Sequence, residues 1–143
     1  MRIRTTSDLF PKYLWALLLI YFVASLAHFI HNAEYIVFYP NMPSWITRDT
    51  VYWVWLGICS IGVAGIVISR MGLTLTGMIL LATYGAFGLD GLGHYTLALC
   101  SEHTLAMNVT IWAEVISGLV FALCCIVQAS RALTTTVKTR SAW

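Results

Sequence analysis

Four stretches of this 143-residue chain are long and apolar enough to cross a bilayer, and that constrains the fold more than any other feature. A spanning helix needs roughly 20 mainly apolar residues. The stretches lie at residues 13–38, 51–69, 73–99 and 104–129. None shows the alternation of a half-buried strand, and in lipid a segment must satisfy its backbone hydrogen bonds internally, so all four are read as helices. Pro11 precedes the first and Pro40 follows it, positions that suit a helix start and a helix end. Asp49 or Thr50 is the expected N-cap of the second. Arg70 and Gly72 make a tight turn into the third.

Composition excludes the soluble alternative. The chain is 59% hydrophobic and 10% charged, with a mean hydropathy of +0.81. Soluble domains carry about 25% charged residues, enough to cover a globule with polar side chains. No basic run of the kind a nucleic-acid surface needs is present. The expected fold is an all-α membrane protein, one integral membrane domain over residues 1–143 built as a four-transmembrane-helix bundle.

Charge placement gives the expected orientation. Arg2, Arg4, Lys12, Arg70, Arg131, Lys138 and Arg140 fall on one side of the four spans, and Arg48 alone falls on the other. The positive-inside rule then places both termini in the cytoplasm, as in a bacterial-type inner membrane. Tyr39, Trp45, Tyr52, Trp53 and Trp55 gather near the first outer loop as an expected interfacial belt. Ser25 and Ala27 imitate a signal-peptide cleavage site, but a cleaved remnant would span poorly, so an uncleaved helix is expected. The threonine-rich segment after Arg131 is expected to be a disordered or interfacial tail. Cys59, Cys124 and Cys125 fall within apolar spans and Cys100 stands alone near the outer edge; the adjacent Cys124 and Cys125 point to different sides of a helix, so they read as small apolar side chains rather than as a disulfide or metal set.

Ionisable residues inside a membrane are costly and mark functional sites. The first span carries His28, His31, Asn32 and Glu34, the third carries Asp90 and His94, and the fourth carries Glu114. A rise of about 1.5 Å per residue puts His28, His31 and Glu34 about 22, 27 and 31 Å above the cytoplasmic edge. The same count puts Asp90 and His94 about 26 and 31 Å up, and Glu114 about 15 Å below the outer edge. At about 100° per residue, Tyr21, Ser25, His28, Asn32 and Tyr35 share one face; His31 borders it and Glu34 lies further round. Thr83, Phe87, Asp90 and His94 form a second stripe, and His103, Met107, Thr110, Glu114 and Gly118 a third. The three stripes predict an outward-facing pocket between the first, third and fourth spans.

Several chemistries use such residues. His28, His31, Glu34 and His94 have the types and helical spacings of ligands for zinc, iron or copper, with Asp90 and Glu114 as catalytic carboxyls. This leading expectation is a metal-dependent enzyme acting on a lipidic substrate. Alternatively, Glu114 would protonate a lipid or isoprenoid while Asp90 or His94 removes a proton elsewhere, with Trp112 stabilising a cation. A b-type haem between His28 or His31 and His94 is a third reading. A non-enzymatic binding or accessory membrane protein, or polar residues that merely join helices, would use the same side chains. Glu102 and His103 need only outer-loop exposure, and Gly85, Gly88, Gly91 and Gly93 suit close helix packing.

Overall fold

The computed structural model describes the chain from Phe10 to Arg140, with side chains to Thr134. Arg2 and Arg4, which bear on the orientation, lie outside the described residues. All regular elements of the described chain are helical: α1 (Lys12–Glu34), α2 (Arg48–Arg70), α3 (Thr74–Ala86), a short α4 (His94–Leu97) and α5 (Leu105–Arg140). A 3-10 stretch, Phe87–Gly93, joins α3 to α4, so that Thr74–Leu97 forms one span. Four helical segments are thus long and apolar enough to cross a membrane.

Local chemistry sets the ends. Pro11 caps α1 in an extended conformation. The helix stops at Glu34, a turn before the expected boundary, and a 3-10 turn over Ile36–Phe38 carries Tyr39 inward. Thr47, earlier than the expected cap, accepts the Thr50 N–H at 3.3 Å. Asp49 then sits in the first turn of α2, where the helix dipole favours an acid. Gly72 takes a positive φ of 91° in the turn between α2 and α3. Beyond Ala129 the expected tail is instead a continuation of α5 to Arg140. That segment contains neither Gly nor Pro, and nothing in it interrupts the helix.

The helices pack as a ring, α1 on α2, α2 on α3, α3 on α5 and α5 back on α1. Tyr21, Met78, Leu81, Tyr84, Phe121 and Cys125 fill its middle. The Tyr21 hydroxyl donates to the Tyr84 carbonyl at 2.9 Å, near the point where α3 gives way to the 3-10 stretch. Leu19, Val63, Ile116 and Leu123 stand exposed on the outside, the inverse of a water-facing surface.

Two glycine contacts decide where the bundle is tight. A Cβ on Gly77 would lie 2.0 Å from Ser69 Oγ and 2.6 Å from the Gly65 carbonyl, so α2 and α3 touch backbone to backbone near their connecting turn. A Cβ on Gly118 would lie 2.5 Å from the Gly85 carbonyl, which clamps α3 to α5. Past that clamp the Phe87–Gly93 stretch continues along α5, while α2 packs along α3 below. The two spans therefore splay toward the Leu97 end, and the gap between them is a cleft.

Candidate functional site

The cleft has a volume of about 320 Å³. Its polar lining is His28, Asn32, Asp90, His94 and Glu114. Its apolar wall is Phe29, Val51 and Val54, with Met42, Trp45 and Ile46 of the α1–α2 loop arching over it. The cleft differs from the expected one between the first, third and fourth spans: α5 contributes only Glu114 to its lining, and α2, which carries neither histidine nor buried charge, supplies its greasy side.

His28 lies at the centre. Its Nε2 is 3.6 Å from Glu114 Oε2, with both side chains almost wholly buried. Its Nδ1 is 3.4 Å from Thr110 Oγ1, whose own proton goes to the Met107 carbonyl at 3.0 Å. Thr110 can therefore only accept from His28, which fixes the proton on Nδ1 and leaves the Nε2 lone pair toward Glu114. Glu114 Oε2 has no hydrogen-bond partner. Gly91 lies over it: a Cβ there would stand in ordinary van der Waals contact with Oε2, at 3.6 Å. In a 3-10 helix residues three apart share a face, so Gly88 and Gly91 both turn to α5. Asp90, between them, turns away to the exposed side of the cleft. Gly85 and Gly88 serve close packing as expected, whereas Gly93 has nothing near it.

His94 is in edge contact with His28, the ring centroids 5.3 Å apart and the planes at 78°. The Asn32 amide donates to His94 Nε2 at 3.3 Å, and its Oδ1 is buried without a partner. With their rings this close, His28 and His94 leave no space between them for a porphyrin plane.

His31 and Glu34 go elsewhere. His31 Nδ1 is 3.0 Å from the Tyr39 hydroxyl, outside the cleft lining. Glu34 accepts from Arg48 Nη2 at 2.8 Å, from Arg48 Nε at 2.9 Å and from the Tyr52 hydroxyl at 2.7 Å, and ties α1 to α2 on an exposed edge. Its offset of six residues from His28 rotates it well away from the cleft. Among the described residues, no three His, Cys, Asp or Glu side chains are grouped to hold a metal ion. The four residues expected as ligands do not form one donor set.

Tyr39 is a site residue that the sequence did not mark. It is 3% exposed rather than an interface anchor. Its ring lies 4.8 Å from His94, 5.9 Å from His31 and 6.3 Å from His103, so it joins three histidines. Burial pushes the Tyr39 phenol up to about 12. His103 is buried beneath the outer turn and not exposed as expected. There its Nδ1 meets the Leu99 carbonyl at 2.9 Å, and Glu102 accepts the Leu99 N–H at 2.6 Å. Trp112 lies tilted against Tyr95, ring centroids 6.1 Å apart, and takes no part in the cleft lining.

Chemically, the arrangement offers a carboxyl and an imidazole facing one another at a floor shielded from water, a second carboxyl at the mouth, and an apolar wall beside them. Compared with known proteins, the chain matches no family model, no curated protein and no solved structure at a significant level.

Proposed function

We propose that this chain is an integral membrane enzyme that moves a proton on a lipidic or isoprenoid substrate held in the outer cleft. In this reading both termini face the cytoplasm of a cell with a bacterial-type inner membrane, and the cleft opens toward the outer leaflet. Acid–base chemistry takes precedence over the metal-dependent reading, because His31 and Glu34 are engaged outside the cleft.

The observation that carries the proposal is the His28–Glu114 pair, 3.6 Å apart and buried, with a bare imidazole nitrogen on one side and an unpartnered carboxyl oxygen on the other. Such a pair holds one proton between two sites and delivers it to, or takes it from, a substrate atom lying over it. His94 beside the pair and Asp90 at the mouth stand to serve the opposite proton. The wall of Phe29, Val51 and Val54 holds an apolar chain and keeps water off the pair.

The test is isotope exchange. Proteoliposomes containing a total lipid extract are incubated in deuterium oxide, and the extracted lipids are weighed by mass spectrometry. Protein-dependent deuterium uptake into one lipid class, lost in His28→Ala and Glu114→Gln, is the expected result. Saturable lipid binding without exchange would make the protein a binding or accessory protein instead.

A further inference from the structure

Besides the cleft, the bundle carries a second opening, in the half nearer the turn between α2 and α3. It is a groove of about 450 Å³ between α1 and α2. Trp15, Leu19 and Phe22 line it from α1, Cys59, Val63 and Ile66 from α2, and Tyr84 of α3 closes it from behind. The Tyr84 ring comes this close to α2 because residue 62 is glycine; a Cβ there would lie 3.0 Å from ring atom Cδ1.

The lining follows two helical stripes, in steps of three and four residues. Trp15, Leu19 and Phe22 continue a face of α1 that begins at Lys12, and Cys59, Val63 and Ile66 continue on α2 to Arg70. Each apolar stripe thus ends in an exposed base, at the same end of the bundle. The Arg70 guanidinium carbon stands 5.6 Å from the centroid of the Trp15 ring, so its charge lies at the mouth of the groove. Among the described residues, no carboxylate is within ion-pair distance of Arg70.

Length and charge together decide the class of occupant. From Arg70 to Cys59 the helix rises about 16 Å, half of a hydrocarbon core of about 30 Å. A groove of that length is one leaflet deep, and takes a lipid chain whose headgroup stays at the mouth. There the planar fork of an arginine matches a phosphate group. A zwitterionic phospholipid offers the same phosphate but adds an ammonium group, for which this end of the described chain has no carboxylate partner. We propose that the groove between α1 and α2 seats an anionic phospholipid, with its phosphate at Arg70 and one acyl chain along Leu19, Phe22 and Val63. The seat is separate from the cleft and does not depend on the reaction proposed there.

The experiment uses Trp15 as the reporter. The full-length protein is reconstituted in vesicles of equal parts phosphatidylglycerol and phosphatidylcholine, with mid-chain bromine on either the one lipid or the other. Surface charge is then the same in both sets, and Trp15 quenching is the difference between the parent protein and Trp15→Phe. The occupancy ratio read from the two sets is expected to favour the anionic lipid about fivefold, the contribution of one base beside the headgroup. Arg70→Gln should bring the ratio down toward one; Arg70 is exposed, so its loss leaves no cavity. Val63→Phe, which fills the groove and leaves the base in place, should do the same. Equal quenching of the parent protein by the two lipids overturns the seat. A preference that survives Arg70→Gln belongs to the membrane surface and not to this site, and one that survives Val63→Phe is a headgroup contact with no chain in the groove. Either result overturns the proposal and leaves the function proposed for the cleft untouched.

Discussion

His28 Nε2 and Glu114 Oε2 face each other across 3.6 Å at the floor of the cleft, from positions 86 residues apart in sequence. Residues in such direct buried contact couple energetically, typically by about 0.5–3 kcal/mol in a double-mutant cycle. His28→Gln and Glu114→Gln should therefore be non-additive in thermal or denaturant unfolding of the purified protein. Additivity within about 0.5 kcal/mol would mean that the two side chains are neighbours without being partners.

The glycine contacts make a prediction with opposite signs at two positions. Gly77→Ala forces a methyl group into the Ser69 hydroxyl and the Gly65 carbonyl. Overpacking of this kind costs about 1–3 kcal/mol. Gly57 lies on α2, and a Cβ there would have nothing within 4 Å. Gly57→Ala should be neutral or stabilising, by up to about 1 kcal/mol from helix propensity. Melting curves in one detergent test both, and a harmless Gly77→Ala would show that α2 and α3 do not meet so closely.

Tyr39 carries a pH prediction. Its phenol, pushed up to about 12 by burial, lies above the ordinary value of 10. A group whose folded pKa is raised contributes stability that is fully present below the unfolded value and is lost as pH rises through the folded one. The window is therefore pH 10 to about 12. In ultraviolet titration, the difference between the parent protein and Tyr39→Phe should show its phenolate step near the upper limit. A step near 10 would put Tyr39 in water and not among the histidines.

Cys100 tests the orientation without any new residue being introduced. It is exposed at the turn between α4 and α5, while Cys59, Cys124 and Cys125 lie within the spans. A membrane-impermeant maleimide added outside intact spheroplasts should modify the protein, and Cys100→Ser should abolish the signal. Modification only in inverted vesicles would turn the cleft toward the cytoplasm.

The parts of the site that could be read from sequence are those on regular α-helix. Ser25, His28 and Asn32 share a face of α1, and Met107, Glu114 and Gly118 share a face of α5, because about 3.6 residues per turn held in both. The third span broke the rule. Over Phe87–Gly93 the period is three, so the expected stripe through Thr83 and Phe87 is exposed, while Asp90 and His94 reach the cleft by a different backbone path. Glu34 satisfied a ligand spacing on paper, but Arg48 and Tyr52 hold its carboxylate on another edge, a pairing that depends on how α2 docks. Tyr39 left no periodic signal because it sits in an irregular turn, where only the folded chain decides whether an aromatic ring faces out or in.

The splay between α2 and the Leu97 end of the third span bears on how the site is supplied. A molecule entering between two helices arrives by lateral diffusion within one leaflet, without crossing bulk water. Occupancy then follows its mole fraction among the surrounding lipids and not its aqueous concentration. Adding inert phospholipid at constant total ligand would empty the cleft by dilution in two dimensions, and an affinity for this protein has meaning only when the composition of the bilayer is stated with it.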